Sequence, residues 1–458
     1  MKINYNFLAL SLFGNIRKYA TKPKCSICME SQLIDHIKDH EIKPRKHPGV
    51  MKIRIAEVPV VVINAMKAVL KDKPVKAISF GGSELARYLK ARHVPVEEDQ
   101  IRYKGNEIQK QIEAKLGIDS SSLTDEQQEE LELKYKNYVI KRLKETLYSW
   151  KPVVYNEHEA LLYMVARFAP EYAVLRKIFT EIKTRDPDFN PHYMFDFGSG
   201  VGTGTWAARA VWGDVIQEHF NVDSSGDMND LASLLLRGGN EEAEMSIKTV
   251  FYRQFLPASQ TLKYDVVVSA YTLLELPSAR TRLETIINLW NKTNRYLIIV
   301  EQGTNTGFKV INEARDFILQ LGKGEEIHPS VTVAHVFSPC PHDLPCPRFM
   351  HDTTPCNFEV SYIPLPFEGR CDARKERFSY VVFKKGHRPA SDVQWPRIVR
   401  TPLVRRKHTV CRMCVAAGKL EEVVFTASKH GKIPYWCARS SNWGDLLPMT
   451  VEGGKTEE

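Results

Sequence analysis

The sequence predicts an α/β protein built on a doubly wound sheet, with a helical amino-terminal region and a cysteine-rich, basic carboxyl-terminal domain. Three observations predict it. YMFDFGSGVGTGTWAARAVW (193–212) reads as a short buried strand, a glycine-rich turn and a helix. FNVD, YDVVVSAY and RYLIIVEQ follow as apolar strands separated by helical stretches such as 278–291, and such alternation builds a parallel sheet. Beyond about residue 330 the chain turns proline- and cysteine-rich, then basic.

The elements follow in order. A chain of 458 residues is too long for one ordinary core. A content of 43% hydrophobic and 26% charged residues suits a globular protein, and no uninterrupted apolar run of about 18 residues predicts a membrane span. The net charge of +9 favours an anionic partner. The start, MKINYNFLALSLFGNIRKYATKPK, carries Lys2, Arg17, Lys18, Lys22 and Lys24, with no acid before Glu30. That is the composition of a mitochondrial transit peptide, placed at 1–20, with the matrix as destination; a secretory signal built on FLALSLFG is the alternative. In a reducing matrix the nine cysteines point to ligands before disulfides. Cys25 and Cys28 form a lone CxxC pair, more often incidental than metal-binding. Short helices are expected over 51–92, and a strong one over 122–150 capped by Ser121, Ser122 or Thr124. Residues 156–186 are helical with a break near Pro170. The expected division is a helical region 21–150, a sheet domain 151–330, a cysteine-rich basic domain 331–447 and a disordered tail 448–458.

Gly198, Gly200 and Gly202 directly follow a strand, so backbone N–H groups can approach a ligand beside the positive end of the next helix. The G-x-G-x-G form, with Asp196 two residues upstream, resembles the first motif of class I S-adenosylmethionine-dependent methyltransferases. In that class an acid ending the next strand accepts hydrogen bonds from the ribose hydroxyls, a place Asp223 occupies, while Asp265 and Ser269 border the methyl donor. The expected donor-binding set is Asp196, Gly198, Gly200, Gly202, Asp223 and Ser269. Catalysis is not legible. Where amino-nitrogen methyltransferases carry Asn/Asp-Pro-Pro-aromatic, this chain reads SAYTLLELP, and residues 194–310 hold no cysteine for a thiolate mechanism. His219 reads as structural. Glu275 reads as a base or, more often, as a capping or packing residue.

Several phrases carry a closer resemblance. EALLYMVARFAPEYAVLRKIF, DPDFNPHYMFDFGSGVGTGTWAA, SAYTLLELP, LIIVEQGTNTGF, SPCPHDLPCP, WPRIVRTP, CRMC and RSSNWGDLLP, across roughly 150–447, resemble the mitochondrial small-ribosomal-subunit assembly family of methyltransferase-like protein 17. The resemblance implies a mitochondrial factor that binds the immature small subunit through its ribosomal RNA, among ribosomal proteins and other assembly factors. It implies a class I fold with a donor site for S-adenosylmethionine. It also implies a four-iron, four-sulfur (4Fe-4S) cluster on Cys340, Cys346, Cys356 and one of the CRMC pair, Cys414 with Cys411 as competitor. Whether such proteins methylate RNA it leaves open.

By spacing alone, C-x5-C-x9-C followed far downstream by C-x2-C is neither a common zinc-finger pattern nor the bacterial ferredoxin run. Zinc, with His342 nearby, and iron–sulfur both remain open on that basis. The prolines after Cys340 and Cys346 lower the entropy lost on fixing the loop, and a ligand 60–70 residues later closes a long segment as a staple. Cys371 and Cys437 read as packed or free. RCDARKERF, KKGHR and RIVRTPLVRRKH flank the ligands, with Trp395 and Trp436 among them. Basic side chains neutralise phosphates and aromatic faces stack on unpaired bases, so RNA contact is expected; the bland alternative is a solvated face. Three functions follow: an assembly factor whose donor site is a relic, an active ribosomal RNA methyltransferase using Glu275, or a redox-sensing module that releases RNA when its cluster is lost.

Overall fold

The structure is a computed structural model that describes residues 26–116, 124–147, 150–257, 261–321, 332–351, 354–367, 369 and 372–452. The expected transit peptide, Cys25 and Cys371 lie outside these residues. The chain begins with β1 (Ser26–Cys28) and α1 (Ser31–Lys38), then α2 (Val60–Val69) and α3 (Val75–Ala91). A helical hairpin follows, α4 (Glu98–Leu116) against α5 (Asp125–Thr146), and then the long α6 (Glu157–Arg185). The sheet is laid down by β2 (Tyr193–Phe197), α7 (Thr203–Trp212), β3 (Glu218–Val222), α8 (Gly226–Leu236), β4 (Val250–Arg253), β5 (Tyr264–Ala270), α9 (Ala279–Lys292), β6 (Thr293–Gln302) and α10 (Asn305–Leu321). It continues through β7 (Ala334–Ser338), α11 (Pro347–His351), β8 (Phe358–Tyr362) and β9 (Arg374–Lys385). The chain ends with β10 (Arg397–Ile398), β11 (Leu403–Val404), β12 (Thr409–Cys414), β13 (Leu420–Phe425), α12 (Ala427–His430), α13 (Lys432–Ser440) and β14 (Thr450–Glu452).

The main sheet runs β4-β3-β2-β5-β6-β9-β7, with β8 also on β9. Strands β4 to β6 are parallel, as expected, but β9 runs antiparallel to β6, β7 and β8, so the sheet is mixed. This order, with the late strand reversed between its neighbours, is the class I methyltransferase arrangement. Strand order reverses between β2 and β5, where open α/β sheets bind ligands. One core lies under α2, α6, α7 and α8, the other under α9 and α10.

Three expectations are corrected. The sheet does not stop at residue 330, because the apolar centre of β9, Tyr380–Phe383, is buried between β6 and β7. Pro170 does not break its helix. Asn156 caps α6 by accepting from Glu159 N at 3.1 Å, and packing of the flanking Phe168, Ala169, Tyr172 and Ala173 outweighs the one N–H that proline lacks. The tail does not begin at 448: Met449 is buried and β14 pairs with β1. Those two strands close a third core, in which Met29, Leu33 and Ile37 meet Cys411, Met413, Phe425 and Cys437.

Candidate functional site

The first candidate is the turn after β2. Gly198, Gly200 and Gly202 have φ of +73°, +51° and +79°, where a side chain is strained. A Cβ on Gly198 would lie 2.1 Å from Thr272 Oγ1, and one on Gly204 at 2.1 Å from Asp196 Oδ2. Asp196 is 3% exposed, and burial, then repulsion from Asp223 and Glu171, raises its carboxyl to about 7. Asp223 Oδ2 accepts from Gly200 N at 2.9 Å and Oδ1 from Ser225 N at 3.0 Å, which leaves each oxygen a further lone pair. Ser269 pairs with Phe197 across β2 and β5, which brings it to the same end of the sheet. Among the described residues, Ser199 Oγ, Ser269 Oγ and Tyr271 OH are buried with no protein partner. Orphaned hydroxyls beside a glycine turn suit the polar groups of a bound nucleoside. Asp265 lies elsewhere: it accepts from His192 N, Tyr193 N and Asn294 Nδ2, at the opposite end of the strands. His219 is buried within β3, its ring held neutral by burial at about 4.

The carboxyl ends of β5 and β6 are covered. Glu275 pairs with Arg92, whose side chain is 2% exposed, and accepts from Tyr155 OH at 3.4 Å. From α6, Tyr163 OH donates to Glu171 at 2.6 Å, and Arg167 bridges Glu171 and Glu376 at 3.1 Å each. Arg92, Tyr155, Tyr163, Arg167, Glu171 and Glu275, with Tyr271, Glu301 and Gln302, line a cavity of about 20 Å³, room for one water by the usual measure. Glu275 is thus held by an ion pair and a hydrogen bond.

The second candidate is a cavity lined by Cys340, Cys346, Cys356 and Cys414 together. Cys340 follows β7, Cys346 precedes α11, Cys356 precedes β8, and Cys414 ends β12. Their loops are tied down at the carbonyls. Arg397 Nε donates to Pro339 O at 3.0 Å, Gln394 to Pro341 O at 2.7 Å, and Ser379 to Cys356 O at 2.8 Å. Burial, then repulsion among the sulfurs, raises the thiols of Cys346, Cys356 and Cys414. Among the described residues no three His, Cys, Asp or Glu side chains are placed to hold one metal ion. Cys411 is not with them. It is three residues from Cys414 in a strand, hence on the opposite face, and its Sγ donates to Ala438 O at 3.8 Å within the third core. Cys437 is buried there too, and Cys28 is exposed on β1.

A family model described as mitochondrial small ribosomal subunit Rsm22 matches residues 157–448. The chain belongs to the Rsm22 family. It is 38% identical over 406 residues to the human ribosome assembly protein METTL17, mitochondrial, covering 88% of this chain and 86% of that one. It is 21% identical to the Saccharomyces cerevisiae ribosome assembly protein RSM22, mitochondrial, covering 61% of this chain and 65% of that one. Among solved structures, a Synechocystis magnesium protoporphyrin IX methyltransferase with S-adenosylmethionine bound is similar at a TM-score of 0.31 and 12% identity, over 58% of this chain and 100% of that one. No helix among the described residues is long and apolar enough to cross a membrane.

Around both sites this Rsm22-family chain places residues that sequence reasoning missed. Arg92, just past the end of α3, and Tyr163 of α6 are distant in sequence from the strand ends they cover, and nothing local marks them. Glu181 of α6 binds Arg397 and accepts from Ser338 Oγ at 2.7 Å, joining the long helix to the loop that bears Cys340. Arg315 of α10 donates to His342 O at 3.1 Å and Leu344 O at 2.7 Å. A period-2 reading of TVCRMC would have separated Cys411 from Cys414, once that segment was taken as a strand.

Proposed function

We propose that this chain is a mitochondrial assembly factor for the small ribosomal subunit, acting as a scaffold and not as a catalyst. The observation that carries the reading is the covering of the β5 and β6 ends by α3 and α6, locked by the Arg92–Glu275 pair, where a methyl acceptor would have to enter. Membership of the Rsm22 family, and the assembly role and mitochondrial location named for the human and yeast relatives, support it. S-adenosylmethionine would lie on the glycine turn, its ribose hydroxyls donating to Asp223 and its polar groups near Ser199 and Ser269. Asp196, beneath the turn, would hold the loop's shape. Bound there, the donor would stiffen the central domain.

A 4Fe-4S cluster would be held by Cys340, Cys346, Cys356 and Cys414. The donor set fits: four thiols on separate loops line one cavity, and four thiolates are the ligand set that such a cluster takes. The group supplies four strong bonds that tie β12 to the β7–β8 loop. The basic face of the small carboxyl-terminal sheet would then meet ribosomal RNA in the matrix, with ribosomal proteins and other assembly factors around it. Methyl transfer to small-subunit ribosomal RNA is the second reading, favoured by the orphaned hydroxyls of the donor turn.

Full-length protein, purified without oxygen, tests these readings together. The scaffold reading expects calorimetric binding of S-adenosylmethionine, iron and sulfide near four of each per chain, retention of small-subunit RNA, and no transfer of labelled methyl to it. Transfer at ordinary turnover overturns that reading in favour of the second, and absent iron and sulfide removes the cluster from either.

A further inference from the structure

Beside the thiols lie two groups that neither the donor turn nor the ligand set uses. His342 is 1% exposed, with Nε2 3.2 Å from Cys414 Sγ and Nδ1 3.1 Å from Leu344 O. Arg315 is 3% exposed; its Nη2 already donates to Leu344 O at 2.7 Å and to His342 O at 3.1 Å. Its partner Asp316, at 2.9 Å, is partly exposed, so the guanidinium is the buried end of that pair. Arg315 is also near enough to Cys340 and Cys346 for their charge to hold its proton more tightly, against the opposing effect of burial.

The imidazole stands between two acceptors, Leu344 O facing Nδ1 and Cys414 Sγ facing Nε2. A ring with one N–H can donate to only one of them, and Arg315 settles which. Leu344 O does not need the imidazole, because the guanidinium already satisfies it. The proton is free to sit on Nε2 and donate to a Cys414 thiolate. Hydrogen bonds to ligand sulfurs and nearby net charge set the potentials of iron–sulfur clusters, and second-shell partners orient the ligands.

We propose that His342 and Arg315 are positioning residues for the thiol cavity: His342 holds Cys414 through an N–H···S bond, and the two together raise the reduction potential of a cluster held there. This rests on the iron–sulfur reading above. A hydrogen bond donor and a buried cation both favour the state with one more electron, so removing either makes that electron harder to add.

The test is a dithionite-poised titration of the anaerobic, full-length holoprotein, followed by electron paramagnetic resonance, with iron and sulfide measured on each sample. One electron passes from dithionite to the cluster. His342→Leu is expected to disfavour reduction about tenfold, a fall of about 59 mV for a one-electron couple. His342→Gln, which can place an N–H near the sulfur, recovers most of that loss. Arg315→Gln keeps donors for the two carbonyls but drops the charge, and it shifts the potential in the same direction, so the proposal stays testable if His342→Leu cannot retain iron. Full iron with unchanged potential in the iron-retaining variants overturns the proposal and leaves the cluster reading intact. A wild-type protein without iron and sulfide overturns both.

Discussion

Asp196 is a residue whose ionisation opposes the fold. Its carboxyl is raised from 3.8 to about 7 by burial, then by Asp223 and Glu171, so its ionisation costs stability. For a group raised in this way the favourable contribution is fully present below pH 3.8 and is lost as pH rises through about 7. The loss is at most on the order of 4 kcal/mol. Asp196→Asn should therefore melt at a higher temperature than wild type at pH 8, with the gap closing near pH 4; a gap independent of pH would contradict the assignment. At the thiols, Cys340→Ser, Cys346→Ser, Cys356→Ser and Cys414→Ser should each lower iron content, while Cys411→Ser keeps it, as measured on anaerobic preparations. Cys411 stands on the other face of β12, so equal losses from Cys411→Ser and Cys414→Ser would refute the geometry argued for the pair.

Among the elements, α6 joins the two candidate sites. Tyr163 and Arg167 stand over the strand ends, and Glu181, four turns further along, reaches Arg397 and Ser338 beside Cys340. Burial alone would raise the Glu181 carboxyl, yet Arg397 and Arg185 beside it hold it at about 2. That stability is present above pH 4.5 and is lost as pH falls toward 2. Glu181→Gln strands the Arg397 guanidinium, 1% exposed, and should cost about 3–5 kcal/mol in urea denaturation at pH 7. The cost should shrink in acid; a variant as stable as wild type at pH 7 would show that the pair does not hold the helix to the loop. The sequence marked this helix well, because Asn156 and the acids after it announce its start, but it misjudged Pro170. A proline signal is local, whereas what keeps α6 continuous is the packing of its neighbours against the rest of the fold. The glycine turn was legible down to single residues, since Gly198, Gly200 and Gly202 are demanded by backbone angles that the spacing encodes. Strand β9 was hidden for the opposite reason. Its exposed start, Arg374 and Lys375, reads as a basic run, and only the partners β6 and β7 reveal why Tyr380–Phe383 is apolar.

In the whole molecule, the amino-terminal segment, the main sheet and the small carboxyl-terminal sheet are fastened at separate points: β1 on β14, Glu181 on Arg397, and the four thiols around their cavity. The fastening gives the basic charge a fixed direction. Arg405, Arg406 and Lys407 form the exposed tip of the hairpin between β11 and β12, closed by Arg405 N donating to His408 O at 2.9 Å. Arg439 of α13 donates to Arg405 O at 2.6 Å, which sets that helix, with Trp436 half exposed on it, against the tip. Three cations on a rigid turn can neutralise phosphates without the ordering cost of a loose tail, and a neighbouring indole offers a face for an unpaired base. Each phosphate contact with single-stranded RNA contributes about −0.7 to the slope of log affinity against log salt. Replacing Arg405, Arg406 and Lys407 with glutamine should thus reduce the steepness of that slope by about 2 for small-subunit RNA, measured by filter binding from low to moderate salt. Trp436→Ala should weaken binding at every salt concentration and leave the slope as it was, because stacking releases no counterions. The opposite pattern, an unchanged slope in the triple variant, would move the RNA contact off this hairpin and onto another basic face of the chain.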